Sequence, residues 1–359
     1  MNKKLVACFL TFVLSLTLPL IPATAAVKAG AKCTKAGIKS VVGNRTFTCV
    51  KSGKKLVWNK GQLLKQITET STPQKAVFTP WATSFETRLM TQTALDATSS
   101  YFGKVTPSND YEITIDPQIS TSDRAWITSA LDYANGLFTN IQREKVKVFL
   151  GASHSWSKNA LTSAGLWIGD PQDNYPCSQG INDAYCADKN LVLLVYSDIY
   201  APKSNYRWDF GRRSTPAHEI FHTVQFALAG SDVGGDSPKR IPRWLMEGGA
   251  NYFGFYVADR LGFDVYQTGR SQQVNTNPAY RTIVPLAAYD DFKTDPYGIG
   301  QAASEYLIAS IGFEKFLDIW KFTKSEESFK NGFKKAVGIT VEDFYLKFEA
   351  ARGSMQIGS

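Results

Sequence analysis

Apolar and polar positions follow two periods along this chain. Apolar residues recur at helical spacing from Phe85 to Phe102, and Ser120-Thr121-Ser122-Asp123 opens a long helix running from Ser122 to Ile141. Between and after them come strand-like runs. Tyr111-Glu112-Ile113-Thr114-Ile115 alternates like a half-buried strand, Lys145 to Leu150 is a second, and Leu191 to Tyr196 is a third with both faces apolar. Further on, helices are expected over Tyr297–Leu307, Phe313–Phe322 and Ser328–Val337. Gly338 ends the last of these, and Thr340 caps another. No internal repeat and no low-complexity tract interrupts this order.

The two ends of the pattern differ from its middle. Met1-Asn2-Lys3-Lys4, an apolar run from Leu5 to Leu20 and Ala23-Thr24-Ala25 have the form of a secretory signal peptide over residues 1–26. No later segment has eighteen consecutive apolar residues, so the mature chain is expected to lack a transmembrane segment and to be exported, extracellular or associated with the cell envelope. Residues 27–60 hold nine Lys or Arg and no Asp or Glu, whereas residues 61–359 carry a formal charge of −3. The basic character therefore belongs to a small module, with short strands at Val41–Cys49 and Lys55–Trp58 around a turn at Gly43-Asn44. Its positive surface favours anionic envelope polymers or lipid headgroups as partners. A solubilising appendage is the plainer alternative, and nucleic acid is not an expected partner. Residues 61–80 then read as a linker or short helix, and a larger domain is expected over 81–352.

Cysteine usage fits export. Cys8 leaves with the signal peptide, and Cys33, Cys49, Cys177 and Cys186 remain, an even number that allows three pairings. The local pairing, Cys33–Cys49 and Cys177–Cys186, is preferred because it closes two short loops within separate segments. None of these cysteines has the C-x-x-C spacing of a metal site.

The densest chemistry lies between Ser214 and Gly254. His218-Glu219-Ile220-Phe221-His222 puts two imidazoles at i and i+4, on one face of a helix, with a carboxylate beside the first. Thr215 suits an N-cap, Pro216 the first helical position, and Val224, Phe226 and Leu228 carry apolar residues onward. A loop rich in glycine from Gly230 to Pro238 leads back to Pro242-Arg243-Trp244-Leu245-Met246-Glu247-Gly248-Gly249-Ala250-Asn251-Tyr252. Only three histidines occur in the chain, and the third, His154, suits a surface or loop position.

On these residues the sequence resembles the gluzincin, or peptidase MA-like, zinc metallopeptidases, especially those whose second helix reads W-L-x-E-G-x-A. The match is specific over residues 214–254 and looser elsewhere. Residues 27–60 resemble a small two-cysteine module appended to many secreted bacterial proteins. The resemblance implies an α+β, zincin-like domain with a mixed sheet, an active-site helix and a helical C-terminal part, preceded by a small β-rich disulfide module. It implies one zinc ion held by His218, His222 and Glu247, with Glu219 as general base and a peptide or protein as substrate. It also points to a tyrosine downstream of Glu247 as oxyanion donor. Tyr297 is the candidate, with Tyr289 and Tyr306 as competitors and a packing role as the alternative. Asn251, one turn beyond Glu247, is placed to orient a ligand histidine, although many relatives carry an acid there. No G-x-M-E-N exopeptidase motif is present, which favours an endopeptidase over an aminopeptidase. The rival from another class is a catalytically inactive zincin-like protein that only binds the envelope.

Overall fold

The structure is a computed structural model that describes residues 27–42, 45–63, 77–167, 184–196, 206–230, 232–234, 236–275, 284–290 and 295–357, with 184–188 and 206–212 described at the level of the backbone. The signal-like segment, the Gly43-Asn44 turn, most of the expected linker and Cys177 lie outside these residues. The chain divides into two compact units, Met1–Gln74 and Lys75–Ser359.

The smaller unit is an antiparallel sheet. β1 (Lys39–Val42) pairs with β2 (Arg45–Ser52), which also pairs with β3 (Lys55–Trp58) and β4 (Gln62–Leu63). β2 alternates as a half-buried strand should, with Phe47 and Cys49 inside and Val50 exposed. Cys49 is bonded to Cys33, the local pairing that the sequence favours for this segment. A core this small gains most from such a cross-link, because the bridge restricts the unfolded chain.

The larger unit mixes helix and sheet. Its strands lie in the order β5 (Glu112–Ile115), β6 (Lys147–Gly151), β8 (Leu191–Val195), β7 (Ala184–Asp188), parallel except for β7, which runs antiparallel to β8 at the edge. The double-sided apolar pattern of β6 and β8 is explained by two layers. Val148, Leu150, Val192 and Leu194 face the main core, while Phe149, Leu193 and Val195 pack with Leu161 of α3 (His154–Ser163). Two further helices belong to this half. They are α1 (Thr87–Phe102) and α2 (Thr121–Leu137), the latter capped by the Ser120 hydroxyl, which accepts from the Asp123 amide.

Three helices organise the rest: α4 (Tyr206–Ala229), α5 (Arg243–Arg260) and α7 (Tyr297–Ile311), with the short α6 (Tyr266–Arg270) and a π-helical turn at Ser271–Asn275 between the last two. α5 is buried on every side from Trp244 to Ala258, packed between α4 and α7. Its glycines make that possible. A Cβ at Gly248 would lie 2.0 Å from the carbonyl carbon of Gly300, and one at Gly254 would lie 2.7 Å from the Ser214 oxygen and 3.2 Å from the His218 Cβ. α8 (Phe313–Ser325), α9 (Phe329–Val337) and α10 (Val341–Ala351) close the core, with Gly338 at φ 85° ending α9 and Thr340 capping α10 as the sequence indicates.

Two expectations need correction. α4 begins at Tyr206, so Thr215 is no N-cap and Pro216 lies inside the helix, where it leaves the carbonyl of residue 212 without its helical donor. α3, β7 and α6 have no counterpart in the sequence pattern, and His154, expected at the surface or in a loop, is the first residue of α3. No helix among the described residues is long and apolar enough to cross a membrane.

Candidate metal centre

α4 turns one face to the core through Ala217, Ile220, Phe221 and Val224, all buried. The adjacent face carries His218 and His222 at i and i+4, with ring centroids 4.8 Å apart. α5 crosses against that face, the close approach at Gly254 setting its depth, and delivers Glu247 to both rings. The two Nε2 atoms are 3.1 Å apart, and Glu247 Oε2 lies 3.5 Å from the first and 3.3 Å from the second. Among the described residues this is the one group of three His, Cys, Asp or Glu donors that could hold a metal ion, and all three side chains are buried.

The spacing fits a cation. Donors about 2.0–2.1 Å from a tetrahedral metal are about 3.3 Å from one another, which is the size of this triangle. Two imidazole nitrogens and one carboxylate oxygen also form the donor set of a three-ligand site with room for a fourth group.

Electrostatics of these side chains follow from the same contacts. Burial works against a charged His222 ring, but Glu247 outweighs it by charge and hydrogen bond, and the pKa is pushed up to about 9. Burial likewise opposes ionisation of Glu247, yet the two histidines hold its carboxyl well below the usual carboxylate range. Glu219 behaves differently. Its Oε1 is 4.0 Å from His218 Nε2, outside the triangle, and burial raises its proton affinity despite the neighbouring rings. The second Glu247 oxygen, Oε1, faces Arg243 at 3.5 Å, one helical turn back on α5.

The competing tyrosines separate by position. Tyr297, at the first turn of α7, has its ring centroid 6.0 Å from that of His218. Burial, then the charges of Glu247 and Glu219, raise its hydroxyl pKa far above the ordinary value, so it stays protonated. Tyr306 instead donates to the Ala82 carbonyl and packs against Phe85, and Tyr289 is buried with its carbonyl accepting from the Trp244 amide.

Asn251 is buried on the face of α5 shared with Glu247 and Gly254, but its Nδ2 makes no hydrogen bond. A hydrogen bond to His222 comes instead from Gln225, which the sequence motif does not include. Gln225 Oε1 lies 2.7 Å from His222 Nδ1, and Gln225 Nε2 donates to the Met246 carbonyl at 3.0 Å. Its signal was a polar residue three positions after His222 in an otherwise apolar turn. His154 begins α3 and lies outside the donor group.

Comparison with protein-family models gives no match for this chain, and none is found among curated proteins.

Proposed function

We propose that this chain is a secreted, zinc-dependent peptidase with a zincin-like catalytic domain, and that it cleaves within peptide chains. The observation that supports this most is the convergence of His218 Nε2, His222 Nε2 and Glu247 Oε2 to within 3.1–3.5 Å, with a separate buried carboxylate beside them. In this reading the three residues hold zinc, which when bound supplies Lewis-acid polarisation of the scissile carbonyl and a water of lowered pKa.

The protein's own groups divide the remaining work. Glu219 Oε1 takes the proton of the attacking water and returns it to the departing amine nitrogen, a task suited to a buried carboxylate with raised proton affinity. Tyr297 keeps its proton and offers its hydroxyl to the oxyanion that develops on the carbonyl oxygen. β7 is the edge strand next to β8 and packs against α4, so it is our candidate to hold an extended substrate by strand addition. The cationic module of residues 27–60 would keep the enzyme close to anionic envelope polymers. The Cys33–Cys49 bond is consistent with an extracellular location.

Incubation with casein and with a mixed peptide library, with and without a chelator, tests the activity. Cleavage that stops with chelation and returns with zinc is expected. An inert protein that still binds zinc would favour the non-catalytic envelope-binding alternative.

A further inference from the structure

We infer that Gln225 is a positioning residue that clamps two ligands of the metal centre to one another. The inference rests on His218, His222 and Glu247 being the metal ligands, and it assigns a task to a side chain outside that set. Gln225 is 1% exposed on α4, three residues after His222.

The chemistry of its partners fixes its orientation. A backbone carbonyl only accepts, so the amide group facing the Met246 oxygen at 3.0 Å must be the NH2 of Gln225. Its Oε1 is thereby turned to His222 Nδ1, 2.7 Å away, and an amide oxygen only accepts. The proton therefore sits on Nδ1 of His222. In the neutral ring this leaves the lone pair on Nε2, the atom 3.3 Å from Glu247 and 3.1 Å from His218 Nε2.

The other end of the clamp matters as much. Met246 immediately precedes Glu247, so the amide that sets the imidazole tautomer also holds the backbone from which the third ligand projects. One side chain thus ties α4 to α5 at the depth where their donors meet. Hydrogen-bond partners of metal-bound histidines typically change metal affinity by about 10–100-fold when removed.

The test is zinc affinity of the metal-stripped full chain, measured by competition with a fluorescent chelator. Gln225→Met, similar in size but unable to accept from Nδ1, is expected to bind zinc about 10–100-fold more weakly while still reaching one ion per chain. Gln225→Glu keeps an acceptor at His222 but sets a carboxylate oxygen against the Met246 carbonyl, so it should recover part of that loss, at most about tenfold. If Gln225→Met does not fold, Gln225→Asn carries the same expectation, because its amide is too short to reach both partners. With cobalt in place of zinc, the visible absorption bands of the weak variant should shift as its donor geometry relaxes. Variants that melt at lower temperature but bind zinc as tightly as the wild type would overturn the clamp and leave Gln225 a packing residue. A wild-type chain that binds no zinc would overturn the ligand set itself, and the clamp with it.

Discussion

Glu219 and Glu247 both lie beside His218 and His222, yet they hold protons very differently. Glu247 meets both imidazoles directly and is held ionised, whereas Glu219 stands 4.0 Å off and is pushed up by burial. Glu219→Gln keeps the size and loses the proton-accepting oxygen. It should retain one zinc per chain and lose nearly all peptide hydrolysis, at least about 100-fold in kcat. Metal analysis beside a peptide assay checks both halves, and surviving activity would defeat the general-base role. A pH prediction follows from His222. Its folded pKa of about 9 exceeds the ordinary 6.5, so the metal-free protein gains stability from the His222–Glu247 pair below pH 6.5. That gain is lost as pH rises through about 9. Melting of chelator-treated protein from pH 6 to 10 should show this decline, and His222→Asn should flatten it. At this scale the two imidazoles and Glu219 were legible, because i and i+4 spacing is a purely local property of a helix. The sequence also names Tyr297 ahead of Tyr289 and Tyr306, but only through the family resemblance; the physical distinction, a Tyr297 ring 6.0 Å from that of His218, comes from the packing of α7 against α5.

Among the elements, α5 decides where the centre forms. Its Gly248 meets the Gly300 backbone of α7, and no rotamer change can relieve a contact with backbone. Gly248→Ala should therefore separate α5 from α7, costing about 1–3 kcal/mol or more, and should weaken zinc binding because Glu247 moves with the helix. Urea unfolding and zinc titration of the same sample would check it, and an unchanged midpoint would contradict it. The E-G-G-A segment is visible in the sequence as a motif, but its packing reason is not, because Gly300 lies 52 residues beyond Gly248 (300 − 248). β7 was missed for a related reason. Ala184-Tyr185-Cys186-Ala187-Asp188 contains no β-branched residue, and its strand character comes from pairing with β8. The early start of α4 was missed because a proline beside a capping residue is ordinarily a start signal, and here the helix runs through it.

For the whole molecule, the basic unit and the larger unit lead to separable predictions. Removing residues 27–60 should leave hydrolysis of a small peptide unchanged and reduce retention on an anionic polymer. Retention by the full chain should fall as salt rises, because surface charges are screened beyond about 8 Å at physiological ionic strength. Equal retention by both chains would defeat the anchoring role. Within the larger unit, Arg270 and Glu305 form a buried ion pair at 2.6 Å, and Tyr266 donates to the second Glu305 oxygen. Arg270→Met leaves Glu305 buried without its partner and should destabilise the protein by about 3–5 kcal/mol, as read from denaturant unfolding. Nothing local marked this pair, since its members lie thirty-five residues apart on α6 and α7. The small module was legible because its charge and cysteines set it apart in composition alone.

The most direct test of the metal centre is X-ray absorption at the zinc edge of the purified, zinc-loaded full chain. One zinc per chain is predicted, with a first shell of two imidazole nitrogens and oxygen at about 2.0–2.1 Å, and with no sulfur. A chain that retains no zinc, or an ion whose shell lacks the two imidazoles, would contradict it.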